Sequence, residues 1–231
     1  MKGKLIGVGV GPGDPELLTI KAINAIQNCD VVAVPASGSS ERAAYTIVED
    51  YLAGKALLEC RFSMDRDIAL RREAREAAAG QIMARLEKGE DVAFITLGDP
   101  ATYSTYMYVH EIIINHGYRA EIVPGITSYA AAAASLGISL CEGDEILMVI
   151  PARHTVDLDE LLGFPGNKVL MKSGENLTAV IAQLKNRGYG SRTRIASRVT
   201  MEGQRLYKSI AEYEASREGG YFSLAIVKEK E

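Results

Sequence analysis

The first half of the chain alternates short β-rich runs with longer amphipathic stretches. Such alternation is typical of parallel strands joined by crossover helices. The predicted strands cover residues 4–10, 30–35, 56–60, 91–97 and 119–123, and the predicted helices cover residues 17–28, 40–52, 68–88 and 103–116. Gly117 follows the last helix, where a left-handed residue readily ends a helix. The first half is therefore predicted to form an α/β lobe with a mostly parallel sheet.

The second half has a different pattern of elements. The hydroxyls of Thr127 and Ser128 suit a helix N-terminus, and an alanine-rich helix is predicted to run from there to Gly137. The strands predicted after it cover residues 145–151, 168–172, 194–200, 204–209 and 221–228. Because one obvious helix, at residues 177–187, separates the later strands, a mixed sheet is expected. The sequence thus predicts two α/β lobes, residues 1–121 and 122–231.

Composition limits the functions open to such a chain. Of its 231 residues, 47% are hydrophobic and 24% are charged, which is an ordinary globular balance. The longest apolar runs fall far short of the roughly 20 residues of a membrane-spanning helix, so no membrane partner is expected. The formal net charge of −4 has the wrong sign for a general phosphate-backbone binder, so no nucleic-acid partner is expected.

The N-terminal apolar run and the cysteines add two expectations. The run passes directly into a Gly-Pro turn without a signal-cleavage site, which favours a cytoplasmic protein. Cys29, Cys60 and Cys141 are widely separated, and together with the three histidines they show no usual ligand spacing. Neither a disulfide framework nor a protein-bound metal is expected.

The first motif joins a predicted strand to a predicted helix at residues 7–15, with the sequence G-V-G-V-G-P-G-D-P. Its position favours nucleotide binding, but Pro12 and Asp14 stand where a dinucleotide fingerprint requires glycine. Asp14 is predicted to cap a helix that begins at Pro15, and the glycines allow the backbone to approach a ligand closely. A strand-to-helix turn without a ligand is an equally good interpretation.

Two further motifs follow later strands. Residues 97–105 have the sequence L-G-D-P-A-T-Y-S-T, and residues 123–129 have the sequence V-P-G-I-T-S-Y. Because ligands collect outside the carboxyl ends of strands in open α/β sheets, these loops are expected to form a crevice. Asp99 suits a ribose hydroxyl or a cation, and the helix N-terminus near Thr127 suits an adenosine or a carboxylate. Taken singly, Asp99 and Thr127 are better explained as helix caps.

Together, in this order and at this spacing, the three motifs resemble those of the tetrapyrrole methylases, the class III S-adenosylmethionine-dependent methyltransferases. The resemblance spans the whole chain, and residues 98–105 are similar to the branch that methylates carbon 20 of precorrin-2 in cobalamin synthesis. It implies two α/β lobes with S-adenosylmethionine in the cleft between them, S-adenosylhomocysteine as product, a tetrapyrrole substrate and a homodimer. Any cobalt would belong to the substrate. The residues leave open whether the ring carries it, and the compact chain favours the cobalt form.

The resemblance also implies which residues form the site. The expected cofactor contacts are Pro12, Gly98, Asp99, Thr102, Ser104, Thr127, Ser128, Lys172, Arg198 and Val199. Lys172 departs from the family pattern, where a neutral residue is frequent, so its ammonium is expected to face the cofactor carboxylate or the substrate. The expected substrate contacts are Arg42, Tyr103 and His154. No catalytic base is identified, and the candidates are Tyr103, Tyr106, His154 and a water molecule.

Other functions stay open. Uroporphyrinogen methylases tend to have a second glycine before the aspartate and Phe-Gly after the proline, where this chain has Leu97 and Tyr103-Ser104. Diphthine synthases and ribosomal RNA ribose methylases share the first loop. A non-methylating nucleotide-binding module is the alternative from a different class. It is disfavoured by the failed fingerprint and by the absence of an acidic residue at residues 34–36, the end of the second strand.

Overall fold

The computed structural model describes residues 1–36, 39–63, 67–152, 157–173, 176–216 and 222–230. It divides into two compact units, residues 1–127 and 128–231. Each unit contains one five-stranded sheet. The prediction of two α/β lobes is confirmed.

The sheet of the first unit is entirely parallel, with the strand order β3-β2-β4-β1-β5. The strands are β1 (Lys4–Gly9), β2 (Val31–Pro35), β3 (Ala56–Cys60), β4 (Val92–Thr96) and β5 (Arg119–Val123). The crossover helices are α1 (Ile20–Asn28), α2 (Ser39–Val48), α3 (Ile68–Leu86) and α4 (Tyr106–Asn115). The central strands β1 and β4 are buried at almost every position, as expected for a sheet covered on both faces.

Two helices of this unit begin three residues later than predicted. Asp14 caps a 3₁₀ turn, Pro15–Leu17, by accepting the backbone N–H two residues later at 2.9 Å. Helix α1 starts only after Thr19, whose hydroxyl oxygen accepts the Ala22 N–H at 3.1 Å. Helix α4 begins after a series of turns in the loop that follows β4. It ends as predicted at Gly117, which has a φ of +78°.

The sheet of the second unit is mixed, with the strand order β6-β7-β10-β8-β9. The strands are β6 (Leu147–Pro151), β7 (Asn167–Met171), β8 (Thr193–Ser197), β9 (Arg205–Tyr207) and β10 (Ser223–Val227). The helices are α5 (Ser128–Leu136), α6 (Leu158–Gly163), α7 (Leu177–Asn186) and α8 (Ile210–Ser216). Strand β10 is antiparallel to both of its neighbours, whereas β6 and β7 are parallel. The sequence prediction missed α6 and α8, because helices of two turns or fewer show little periodicity.

Each unit packs around its own core. In the first unit, Val8 and Ile95 lie in a core cluster with α1, while Leu5 and Phe94 lie in another with α3 and α4. The second unit has one cluster, formed largely by the sheet with α6, α7 and α8. The compact units divide after Thr127, beyond the predicted boundary between residues 121 and 122, because β5 belongs to the first sheet. In the described part of the chain, no helix combines the length and apolar composition needed to cross a bilayer.

Candidate functional site

The three motif loops meet at the carboxyl edge of the first sheet. They follow β4, β1 and β5, which are consecutive neighbours in the sheet. The Gly98 N–H donates to the Gly11 carbonyl oxygen at 2.7 Å, and the Gly11 N–H donates to the Gly98 carbonyl oxygen at 3.3 Å. The structure thus brings these loops together, as the parallel arrangement predicts.

Glycine is required where the loops touch. A Cβ atom on Gly9 would lie 2.5 Å from the Gly125 nitrogen and 2.7 Å from the Gly98 carbonyl oxygen. A Cβ atom on Gly125 would lie only 2.2 Å from the same carbonyl oxygen. Gly11 and Gly98 also have left-handed φ values of +78° and +74°. The glycines therefore allow the loops both to turn sharply and to approach one another.

Asp99 links two of these loops through its carboxylate. One oxygen, Oδ1, accepts the Ala101 N–H at 2.9 Å and the Thr102 hydroxyl at 3.3 Å. The other, Oδ2, accepts the Gly125 N–H at 3.0 Å. Asp99 forms a turn within its own loop and does not cap α4, which begins at Tyr106. Since an ionised carboxylate has about four acceptor sites, these bonds leave capacity for one more donor.

Ser104 has a similar internal role. Its Oγ lies 2.9 Å from the Thr96 hydroxyl oxygen and accepts the Tyr106 N–H at 3.1 Å. These two bonds connect the end of β4 to the start of α4. Pro12, in the first loop, is buried. The side chains of Asp99 and Ser104 therefore hold the loops in place, a role that their residue types alone do not reveal.

The surroundings of Gly98 fit a bound cofactor. Gly98 is buried, yet a Cβ atom placed on it would meet nothing closer than the Ile126 carbonyl oxygen, at 4.0 Å. Open space therefore lies beside this backbone segment. The edge of the sheet where the three loops meet carries backbone groups, the Thr102 hydroxyl and the Asp99 carboxylate. These donors and acceptors suit an adenosine-bearing ligand. Among the described residues, no three His, Cys, Asp or Glu side chains are grouped as metal ligands.

Two predicted substrate contacts also follow carboxyl ends of strands in the first unit. Tyr103 lies in the loop after β4, has a φ of +51° and is 44% exposed. Arg42 is exposed near the start of α2, shortly after β2 ends. A left-handed tyrosine is uncommon, and such backbone strain concentrates at functional sites. His154, the third predicted contact, lies outside the described residues.

The second unit has strained residues at one edge of its own sheet. Strands β7 and β8 are both antiparallel to β10, so their carboxyl ends share that edge. Lys172 directly follows β7 with a φ of +58°, and Arg198 directly follows β8 with a φ of +50°. Thr200 has a φ of +60°, and Val199 between them is buried. Each left-handed residue of this kind costs about 1–2 kcal/mol, and nothing in the sequence signals it.

Tyr106 belongs to the core of the first unit. Its ring is fully buried against Gly7, where a Cβ atom would lie 2.1 Å from the tyrosine Cζ. Its hydroxyl donates to the Glu121 carbonyl oxygen at 3.0 Å and is hydrogen-bonded to Nδ1 of His110 at 2.9 Å. Burial raises the pKa of Tyr106 and lowers the pKa of His110. These contacts make Tyr106 a packing residue and argue against its role as a base.

The sequence as a whole matches a known family. Residues 4–213 match the family described as Tetrapyrrole (Corrin/Porphyrin) Methylases. The chain belongs to this family. The methylase is 37% identical to the probable cobalt-precorrin-2 C(20)-methyltransferase of Methanocaldococcus jannaschii, over 97% of this chain and 96% of that protein. It is 33% identical to the precorrin-2 C(20)-methyltransferase of Sinorhizobium sp, over 97% of this chain and 95% of that protein.

A solved structure confirms the fold of the methylase. The uroporphyrin-III C-methyltransferase of Thermus thermophilus, determined with S-adenosylhomocysteine, superposes with a TM-score of 0.73 and 21% identity. The match covers 98% of each chain. The family match and the similar relatives confirm the resemblance carried by the three motifs, and the protein is a methyltransferase.

Proposed function

We propose that this methylase transfers a methyl group from S-adenosylmethionine to carbon 20 of precorrin-2 or of its cobalt complex. The observation that carries the proposal is the near full-length similarity to two precorrin-2 C(20)-methyltransferases. The loop at residues 98–105 supports the same branch, because it lacks the second glycine and the Phe-Gly pair of uroporphyrinogen methylases.

The cofactor supplies a methyl group on a positively charged sulfur. We infer that the first unit contacts it through Pro12, Gly98, Asp99, Thr102, Ser104 and Thr127, and the second unit through Ser128, Lys172, Arg198 and Val199. Gly98 leaves the space that a ligand needs, and the Asp99 carboxylate holds the neighbouring loop in position. Because a sulfonium methyl is intrinsically reactive, the protein contributes mainly by aligning the reactants.

The substrate carries many carboxylates, so cationic and hydrogen-bonding side chains are needed to position it. Arg42 and Tyr103 are exposed near the carboxyl ends of β2 and β4, which supports their assignment as substrate contacts. His154 is the third proposed contact. Replacing Arg42 by alanine is expected to raise the Michaelis constant for the tetrapyrrole and leave cofactor binding unchanged. Arg119→Ala is the matched control, because this exposed arginine begins β5 at the opposite edge of the sheet.

The experiment that tests the function is anaerobic incubation with S-adenosylmethionine and either precorrin-2, its cobalt complex or uroporphyrinogen III. Mass spectrometry of the ring is expected to show one added methyl group on a precorrin-2 form, and the preferred ring identifies the substrate metal. Methylation of uroporphyrinogen III alone would contradict the assignment. If no ring is methylated but S-adenosylhomocysteine raises the melting temperature and NAD does not, the cofactor proposal stands and the substrate proposal fails.

We also propose that the enzyme works as a cytoplasmic homodimer, as the family resemblance implies. Light scattering coupled to size-exclusion chromatography measures the molar mass directly. A mass near twice the 25.0 kDa of the chain is expected, and a mass near 25.0 kDa would contradict the dimer.

A further inference from the structure

The second unit contains a pocket of about 560 Å³ that the proposed methyl transfer does not use. It is lined by the start of β8, by the residues after β10 and by the loop between α5 and β6. Lys172 and Arg198 follow the carboxyl ends of β7 and β8, whereas this pocket lies where β8 begins. The pocket is therefore at the opposite edge of the sheet from the proposed cofactor contacts of this unit.

Four cationic side chains line the pocket: Arg192, Arg194, Lys228 and Lys230. Lys228 is neutralised within the protein, since its Nζ lies 3.4 Å from the Glu145 carboxylate and donates to the Ser139 carbonyl oxygen at 3.1 Å. The other three cations face one remaining lining carboxylate, that of Glu142. Within the described residues, no carboxylate oxygen lies within 4.0 Å of the Arg192 or Arg194 guanidinium.

The two arginines are held in place by contacts that leave most of their donors available. Arg192 directly precedes β8, Arg194 is the second residue of that strand, and both line the pocket. The Arg192 guanidinium lies 4.8 Å from the Tyr189 ring centroid and donates one hydrogen bond to the Glu229 carbonyl oxygen. Arg194 donates one to the Ser191 carbonyl oxygen. Each guanidinium has five N–H donors, and fixed guanidinium pairs suit planar or tetrahedral oxyanions.

We propose that this pocket binds a small oxyanion with two or more negative charges, of the phosphate or carboxylate class. Among the described residues, Arg192, Arg194 and Lys230 form no ion pair, and they occur in a chain with a net charge of −4, so this concentration of positive charge is a local feature and not a consequence of overall composition. The bound anion would fill the unused donor capacity of Arg192 and Arg194.

Isothermal titration calorimetry at constant ionic strength tests the proposal, with inorganic pyrophosphate and citrate as the two probes. Saturable binding of at least one probe is expected, and the tighter one identifies the phosphate or the carboxylate source. Arg194→Gln is expected to raise the dissociation constant about tenfold, because a charge-assisted hydrogen bond is lost. Lys208→Gln is the matched control. It removes a charge from an exposed lysine between β9 and α8, and it should leave the constant unchanged.

Three results would overturn the proposal. The first is binding of both probes that does not saturate below about 10 mM. The second is an equal loss of affinity in Arg194→Gln and Lys208→Gln, which would indicate general screening. The third is competition between the probe and S-adenosylhomocysteine, which would place the anion elsewhere.

Lys230→Gln, at an exposed position near the C-terminus, gives a second variant without core contacts and should weaken binding several-fold. Since the readout is anion binding, failure of ring methylation does not affect it.

Discussion

The two units make sharp turns after their strands in different ways. In the first unit the left-handed residues where the loops touch, Gly11 and Gly98, are glycines, which adopt this conformation without strain, whereas Tyr103 farther along the loop after β4 is strained. In the second unit the corresponding conformation is adopted by Lys172 and Arg198, at a cost of about 1–2 kcal/mol each. If only the turn conformation mattered, glycine would serve at both positions. The first edge therefore combines glycines with close backbone approach, and we expect the second edge to depend on the side chains themselves.

The two edges are also held together differently. In the first unit the loops are joined by the Gly11–Gly98 backbone pair and by the Asp99 carboxylate. In the second unit the Arg198 N–H donates to the Phe222 carbonyl oxygen at 2.9 Å. The backbone of Arg198 is therefore anchored to the neighbouring chain segment, so its side chain can be changed without removing that hydrogen bond. This difference leads to distinct expectations for mutations at the two edges.

The largest effect is expected for Gly125→Ala in the first unit. The new Cβ atom would lie 2.2 Å from the Gly98 carbonyl oxygen and 2.8 Å from backbone atoms of Gly9. Because backbone and not a flexible side chain must move, the free energy of unfolding should fall by about 3 kcal/mol or more. Chemical denaturation monitored by circular dichroism measures the change.

Gly80→Ala is the matched control for this substitution. Gly80 lies within α3, and a Cβ atom there would meet nothing within 4 Å. The exchange should raise the free energy of unfolding by about 0.5–1 kcal/mol, because alanine has the better helix propensity. If Gly125→Ala were as stable as Gly80→Ala, the conclusion that the three loops approach one another closely would be wrong.

Asp99→Asn is expected to have the next largest effect. An asparagine has one acceptor oxygen, so it can accept from Ala101 and Thr102 or from Gly125, but not from both sides. The loss of a charged acceptor should lower the free energy of unfolding by about 1.5–3 kcal/mol. Asp144→Asn, at an exposed position, should change it by less than about 0.5 kcal/mol. Equal stability of the two variants would show that Asp99 does not link the two loops.

At the second edge, Arg198→Gly should distinguish the effect of backbone strain on stability from the effect of the side chain on cofactor binding. The variant loses the side chain and relieves the left-handed strain, so its free energy of unfolding should be unchanged or higher by up to about 1 kcal/mol. Arg198→Ala keeps the strain and should be the less stable of the two. Both variants should bind S-adenosylhomocysteine more weakly than the native protein, as calorimetry can measure. If Arg198→Gly were the less stable variant, the comparison between the two edges would fail.

Sequence patterns predicted those features that depend on local residue order. Strands β3 and β5 have the predicted limits, because each is an apolar or alternating run bounded by turn residues. The meeting of the three loops followed from the parallel order of strands. The bonds of Asp99 could not be predicted, since its partner Gly125 lies 26 residues away and is brought close only by the sheet. The left-handed Lys172 and Arg198 likewise depend on the tertiary fold, because their residue types favour other conformations.

The smallest expected effect distinguishes the units by their response to acid. Burial lowers the pKa of His110 in the first unit below the ordinary value of about 6.5. At a pH between the lowered pKa of His110 in the folded protein and its ordinary pKa in the unfolded chain, the unfolded chain binds more protons than the folded protein. The stability that is present above about pH 6.5 is therefore lost as the pH falls through the pKa of His110 in the folded protein. The described residues of the second unit include no histidine.

Thermal unfolding at pH 7.5 and 5.5 measures this effect, which should be smaller in His110→Gln than in the native protein. His116→Gln, at an exposed position in the same unit, controls for the loss of an imidazole. Hydrogen exchange, corrected for intrinsic rates, should locate the acid-induced loss of protection in β1 and β4, with less change in β7 and β10. A uniform loss of protection across both sheets would show that the two units unfold together. The difference between their edges would then affect ligand binding and would not give the two units different stabilities.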